Sequence, residues 1–163
     1  MMKAIVQVVS AVLVLGVIGL VSIWTQQALL VASLGSAAFI QVLTPDIPSA
    51  KIWPMAVGQI AGVAGGFAGV FATAAVSAPP FVHDHPLTWT RLAAAVVAIA
   101  VCAALQVSLK AISAAGATLA LLLALGSEPP TWSGAARLVA GVALVTALGE
   151  LARHAVLATE TNR

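Results

Sequence analysis

Two short stretches of the sequence carry the residue types from which an anion site can be built: serine or threonine hydroxyls beside a glycine at the start of an apolar helix. The candidate site residues are Ser33, Gly35, Ser36, Ser113, Gly116 and Thr118. Backbone N–H groups without partners and the positive end of the helix dipole favour an anion at a helix amino terminus. Glycine also allows a ligand to approach the backbone closely. The pattern therefore predicts that amides and hydroxyls bind a small anion.

Four further polar side chains stand in or beside apolar segments and are candidates for lining a pathway. They are Gln41, Gln59, Gln106 and Lys110. An amide inside a membrane must find a partner or water, so hydrogen bonding between helices is an equal alternative for Gln41 and Gln59. Lys110 precedes the second stretch and could draw an anion towards it. Completion of a helix carboxyl end by this cation is its more ordinary role.

Other chemistries have little support. No nucleophile stands with a base, so we predict neither an enzyme nor catalytic residues. The isolated triplet His83-Asp84-His85 is too little for a metal site, and we predict no metal and no cofactor. The basic residues are scattered along the chain, which argues against nucleic acid as a partner. Cys102 lies in an apolar run and is expected to pack as a small hydrophobic side chain.

The elements that must position the candidate residues are membrane-spanning helices. Hydrophobic residues make up 61% of the chain, charged residues 7%, and mean hydropathy is +1.10. Uncharged runs exceed the ~20 residues that a helix needs to cross a bilayer core. The spans predicted from the apolar segments are 4–24, 55–77, 91–109 and 135–157. In the last, only 138–149 is free of charge, and Glu150, Arg153 and His154 are expected to protrude at its end. We therefore predict an all-α polytopic membrane protein, with the lipid bilayer as its first partner and the amino-terminal span retained rather than cleaved.

The stretches that hold the candidate site residues are too short to cross the membrane. A helix of about ten residues from Gly116 to Leu125 covers only about half of the bilayer core. The helix predicted from Leu34 to Leu43 has a similar length and is also too short to cross it. Both stretches follow a full span, enter a loop containing proline and tryptophan, and precede another full span. Gly35 and Gly116 are 81 residues apart in a chain of 163. The sequence thus predicts two related halves.

The domain organisation follows from this duplication. We predict a first membrane repeat at 1–77, a connecting loop at 78–90, a second repeat at 91–157 and a solvated tail at 158–163. Each repeat has two long helices and one broken or half-length segment.

Basic residues predict the orientation of the two halves. With both termini cytoplasmic, most basic residues fall on the inside, and only Arg91 and Arg137 lie at outer ends of spans. The inside residues are Lys3, Lys51, Lys110, Arg153 and Arg163. Each half then crosses three times, so the second enters from the opposite side and the repeat is inverted. The amino termini near Gly35 and Gly116 would meet at the membrane midplane. We expect this membrane to be a bacterial inner (plasma) membrane.

The same segments resemble a known family. Leu30 to Phe39, Pro48 to Gly62 and Ala115 to Gly126 are similar in type and order to the HPP family of small integral membrane proteins. In this chain Ile112-Ser113-Ala114 stands where the family has His-Pro-Pro, so the chain resembles a divergent member. The resemblance implies a polytopic helical fold and, since some members are associated with nitrite transport, the passage of a small inorganic anion.

Two function classes follow from these observations. The first is a small-anion transporter or channel, with nitrite as one candidate, in which half-helix amino termini hold the anion near the midplane. The second is a noncatalytic membrane scaffold or accessory subunit without a permeation path. A permease for a neutral solute is a third possibility. We also expect a homo-oligomer, because the glycine-rich face of Gly58, Gly62 and Gly66 suits a partner helix.

Overall fold

The computed structural model of the protein describes residues 2–25, 35–81 and 85–161 and confirms the all-α prediction within those ranges. Its helices are α1 (Met2–Thr25), α2 (Gly35–Leu43), α3 (Ile52–Ala72), α4 (Trp89–Ser108), α5 (Ala114–Ala124) and α6 (Trp132–Thr161). The helices α1, α3, α4 and α6 are long and apolar enough to cross a membrane. Single 3-10 turns at Pro48–Ala50 and Ala75–Ser77 flank α3.

The bounds of α3 differ from the predicted span at both ends. The helix begins at Ile52 rather than 55, with Pro54 in its first turn, where a missing N–H costs no helical hydrogen bond. It ends at Ala72 rather than 77, because Ala74 adopts a left-handed conformation with φ of 52°. An alanine carries no stop signal that the sequence could reveal.

Contacts between helices fix their relative directions. The side chain of Gln7, near the start of α1, donates to the carbonyl oxygen of Leu43 at the end of α2. The indole of Trp53, at the start of α3, donates to the carbonyl oxygen of Leu109 just after α4. Near the end of α6, Arg153 donates to the carbonyl oxygen of Pro45. These contacts place the start of α1, the ends of α2, α4 and α6, and the start of α3 on one side, which we call the terminal face.

Tryptophans mark the other side, which we call the opposite face. Trp24 ends α1, Trp89 begins α4 and Trp132 begins α6, and all three side chains are almost fully exposed. Tryptophan is enriched at the level of lipid headgroups, because its ring is apolar while its N–H is polar. The exposed tryptophans therefore fit a membrane boundary at the opposite face.

Glycines on two sides of α3 allow its backbone to touch two neighbouring helices. Gly62 packs against the backbone of Gly116 in α5, and a Cβ at Gly62 would collide with the Gly116 carbonyl oxygen. On the other side, a Cβ at Gly65 would lie 2.6 Å from the carbonyl oxygen of Ala98 in α4. Without a hydrophobic drive between helices in lipid, such close approach is a main source of packing energy. The predicted glycine face is thus covered by helices of the same chain rather than by a partner.

Arg91 holds the end of α5 in place at the opposite face. Its guanidinium is 5% exposed and donates to the carbonyl oxygens of Ala78, Pro79 and Ala124. Gly126 has φ of +95°, and a Cβ there would lie 2.8 Å from the guanidinium carbon. The segment 78–81 after α3 is therefore tied to the end of α5 by Arg91 and by the hydrogen bond from the N–H of Phe81 to the carbonyl oxygen of Leu125.

In α6, the structure differs in one feature from the predicted span 135–157. Glu150 and Arg153 were expected to protrude, but they form a bidentate ion pair whose side chains are only 16% and 14% exposed. Arg153 also bonds Pro45, so the pair packs α6 against the loop after α2. His154 does protrude, with 68% of its side chain exposed.

The glycine packing predicts the outcome of one matched pair of substitutions. Gly62→Ala should destabilise the protein by about 1–3 kcal/mol, the usual cost of overpacking a filled interior. Gly16→Ala should be neutral or stabilising by up to about 1 kcal/mol, because nothing lies within 4 Å of a Cβ there. Thermal unfolding in detergent measures both, and equal effects of the two substitutions would contradict the proposed α3–α5 contact.

Candidate functional site

The amino terminus of α5 is formed by the second candidate stretch. Ser113 is the N-cap residue, and its hydroxyl accepts a hydrogen bond from the N–H of Gly116 at 3.3 Å. A serine at this position satisfies one of the N–H groups that the first helical turn leaves free. Ser113 is buried, whereas Thr118 is exposed and donates to the carbonyl oxygen of Ala114 in its own helix. The structure therefore brings Ser113 and Gly116 together and turns Thr118 away.

Gln106 connects three segments around this terminus. Its amide nitrogen donates to the carbonyl oxygens of Gly58 at 3.1 Å and of Ser113 at 3.0 Å. Its amide oxygen accepts from the N–H of Ser113 at 3.0 Å. The side chain is buried, so these bonds satisfy backbone groups that have no access to water. Gln106 is a positioning residue in this structure.

The crossing at Gly116 is closely packed. A Cβ at Gly116 would collide with the carbonyl oxygen of Gly58 and would lie 2.7 Å from the amide nitrogen of Gln106. A Cβ at Gly58 would collide with the Cβ of Ser113. Backbone and side-chain atoms of the chain itself thus surround the α5 amino terminus.

The first candidate stretch is described from Gly35 onward, where α2 begins; Ser33 and Leu34 lie outside the described residues. Gly35 is buried, and a Cβ there would lie 3.1 Å from the side chain of Leu15, near the middle of α1. Ser36 is partly buried. The described amino end of α2 therefore lies at mid-length of a spanning helix, as that of α5 does beside Gly62 in α3.

One apolar cluster contains residues next to both stretches. Ala37 and Ala38 follow Gly35, and Ala115 and Leu119 flank Gly116. The cluster also includes Val142 and Val145 of α6. The two short helices thus share a core with α6, although the contact that seals the α5 terminus is made by α3.

Buried polar atoms without partners occur close to this core. Both amide atoms of Gln41, the amide oxygen of Gln59 and the hydroxyl of Thr146 have no hydrogen bond. Gln41 and Gln59 are fully buried, and Thr146 is 3% exposed. The amide nitrogen of Gln59 does donate to the carbonyl oxygen of Met55, one turn earlier. Hydrogen bonding between helices was one of the two alternatives predicted for Gln41, and in this structure its side chain makes no such bond.

Gln41 points at a glycine of α6. A Cβ at Gly149 would collide with the amide oxygen of Gln41, so only glycine leaves room for this amide. Thr146 lies three residues before Gly149 and therefore on the same side of α6. The amide of Gln41 and the hydroxyl of Thr146, which have no hydrogen-bond partners, thus lie on the parts of α2 and α6 between the membrane middle and the terminal face.

Sequence reasoning missed Thr146 and Gly149. A threonine followed three residues later by glycine inside an apolar helix was the available signal, but it occurs widely in packed membrane helices. Lys110 was a candidate for lining a pathway, with the carboxyl end of a helix as its more ordinary place, and it lies directly after the carboxyl cap of α4. It is exposed at the terminal face with φ of 52°, outside the buried core.

Metal binding gains no support from the described part of the chain, where no group of three or more histidine, cysteine or acidic residues comes together. His83 and Asp84 lie outside the described residues. Comparison of the chain with protein-family models, curated proteins and solved structures gave no match.

The hydrogen bonds predict opposite effects for two buried glutamines. Gln106→Leu should destabilise the protein by about 1–3 kcal/mol, because it leaves the buried N–H of Ser113 without its partner and removes the side-chain bonds to the carbonyl oxygens of Gly58 and Ser113. Gln41→Leu should stabilise it, because burying an unpaired amide costs a similar amount. Thermal unfolding in detergent tests both; a loss of stability in Gln41→Leu would show that this amide has a structural partner.

Proposed function

We propose that the protein is a small-anion transporter or channel, with nitrite as one candidate substrate. The observation that carries the proposal is the buried amide of Gln41, which has no partner and faces Gly149 of α6. An unsatisfied buried amide costs about 1–3 kcal/mol. If Gln41 binds a polar solute during transport, its function explains why a side chain that lowers stability is present at this position.

The proposed path lies between α2 and α6 and extends towards the short-helix termini. Thr146 adds a hydroxyl that has no hydrogen-bond partner and can donate to an anion. Described amino ends of α2 and α5 lie at mid-length of α1 and α3, where the positive ends of their dipoles favour an anion. Ser113 and Gly116 are enclosed by α3 and Gln106, so in this proposal they bound the path at the α5 terminus.

The distribution of charge supports an anion rather than a cation. Among the described side chains, Glu128 pairs with Arg137 and Glu150 pairs with Arg153, while Asp46 is exposed. No described carboxylate therefore lies unpaired in the core where a cation would need it. Amide and hydroxyl donors without a counter-charge suit a monovalent anion, whose dehydration costs less than that of a divalent one.

The order of the elements supports an inverted repeat. A long helix, a short helix and a long helix occur in α1–α3 and again in α4–α6. The short helix of the first half runs towards the terminal face, and that of the second half runs towards the opposite face. We propose that the short helices α2 and α5 correspond to the discontinuous helices with which transporters built from paired repeats form their substrate sites. Membership of the HPP family is part of this proposal.

The orientation is proposed from the basic residues. Lys51, Lys110 and Arg153 lie at the terminal face, and Arg91 and Arg137 lie towards the opposite face. By the positive-inside rule the terminal face is cytoplasmic, with both termini inside and the protein in a bacterial inner membrane. The alternative is a noncatalytic membrane scaffold or accessory subunit, in which no permeation path exists.

The proposal predicts anion flux through the purified protein. Proteoliposomes should transport nitrite, and comparison with nitrate, formate, chloride and a neutral solute should define the selectivity. Protein-free liposomes and heat-denatured protein are the controls. Flux of the neutral solute alone would replace the anion assignment with a neutral permease, and no flux of any solute would favour the scaffold.

Substitutions should separate a transport role from packing. Gln41→Leu and Thr146→Val are nearly isosteric, and each should reduce flux at least tenfold while the unfolding temperature stays level or rises. A shift of about 2–4 °C corresponds to ~1 kcal/mol in a chain of this size. Val96→Leu, on an exposed face of α4, is the matched control and should leave flux unchanged. Full flux in both core variants would refute the proposed path.

A further inference from the structure

The geometry points to a binding site for an anionic phospholipid at the terminal face, centred on Lys110. A cleft of about 430 Å³ opens there, outside the core that holds the proposed path. Its lining residues are Pro48, Ser49, Pro54, Val107, Lys110 and Ile112. The ligand is a glycerophospholipid whose phosphate pairs with the ammonium group of Lys110 and whose acyl chain follows the apolar wall of the cleft.

Lys110 occupies an unusual place in the backbone. It is the residue that follows the carboxyl cap of α4: its N–H donates to the carbonyl oxygen of Val107, and the N–H of Ala111 donates to that of Gln106. This pair of bonds defines a Schellman motif, whose left-handed position is usually glycine. Here the φ of 52° is adopted by a lysine.

The loop after α5 has glycine, the usual residue, at the corresponding position. After α5, the N–H groups of Gly126 and Ser127 donate to the carbonyl oxygens of Leu123 and Leu122, which is the same motif with glycine in the left-handed position. A side chain at this position costs conformational free energy that glycine does not. Ala74, after α3, is also left-handed, so the conformation alone does not assign a role to Lys110; the charge and the walls of the cleft do.

The charge and the walls of the cleft fit one ligand. No carboxylate in the described ranges pairs with Lys110, so its charge is open to a ligand. Val107 and Ile112 beside it are 66% and 65% exposed, which places an apolar surface next to the cation. A phosphate joined to an acyl chain satisfies both features, whereas a free anion satisfies only the first.

The depth of the cleft agrees with this ligand. Trp53 is exposed, and its indole N–H donates to the carbonyl oxygen of Leu109, immediately before Lys110. Tryptophan and lysine at a helix end mark the level of the lipid headgroups. The cleft therefore lies where phosphates of the terminal-face leaflet are found.

Thermal unfolding of the full chain in an uncharged detergent tests the inference. A short-chain phosphatidylglycerol should raise the unfolding temperature of the wild type in a saturable way, because a ligand that binds only the folded state stabilises it. Phosphatidylcholine and inorganic phosphate at the same concentrations should each give a smaller shift, since one has no net negative charge and the other has no acyl chain.

Lys110→Gly is the decisive variant, because glycine keeps the left-handed turn and removes only the side chain. It should need about fivefold more phosphatidylglycerol for half-saturation, the factor that corresponds to ~1 kcal/mol for one lysine near an anionic lipid. Lys110→Arg should bind as the wild type does. Ala74→Gly, at the left-handed position after α3, is the matched control for the backbone and should also bind normally.

Three results would overturn the lipid assignment. One is an unchanged phosphatidylglycerol response in Lys110→Gly. Another is an equal response of the wild type to phosphatidylcholine. The third is an equal saturable response to inorganic phosphate, which would assign the site to a free anion. None of these results depends on whether the protein transports nitrite.

Discussion

Close contact between the backbones of α3 and α5 is the constraint on which the rest of the structure depends. Gly58 and Gly62 meet Gly116 with no side chain between them, and this contact sets the depth at which α5 begins. Gln106 then reaches both the α3 carbonyl group and the Ser113 peptide. In lipid, where helices gain little from hiding apolar surface from one another, such contacts and internal hydrogen bonds determine the arrangement.

The interior contains two kinds of buried glutamine with opposite relations to their surroundings. Gln106 satisfies backbone groups of two other segments and has a clear structural role. Gln41 is equally buried, but it faces Gly149 without a hydrogen bond. The difference separates a group that holds the fold together from one whose hydrogen-bonding atoms have no partner. Our functional proposal rests on the second kind, in the half of the molecule nearer the terminal face.

Much of the architecture could be predicted from the sequence, because the bilayer imposes length and polarity on every spanning helix. The four long helices and the two short ones followed from uncharged runs and from the glycines at 35 and 116. The bonding of Gln106 could not be predicted, since its partners Gly58 and Ser113 come together only when α3, α4 and α5 pack. The Glu150–Arg153 pair was hidden for a similar reason: its third partner, Pro45, is more than 100 residues away in the chain.

The glycines of α3 also limit how this protein can change shape. Because α3 touches α4 on one side and α5 on another through main-chain atoms, these three helices interlock and resist sliding past one another. The contacts that α6 makes with the shared core include the side chains of Val142 and Val145, which can change rotamer. If the proposed transport requires a conformational change, we therefore expect α6 and α2 to move relative to α3, α4 and α5.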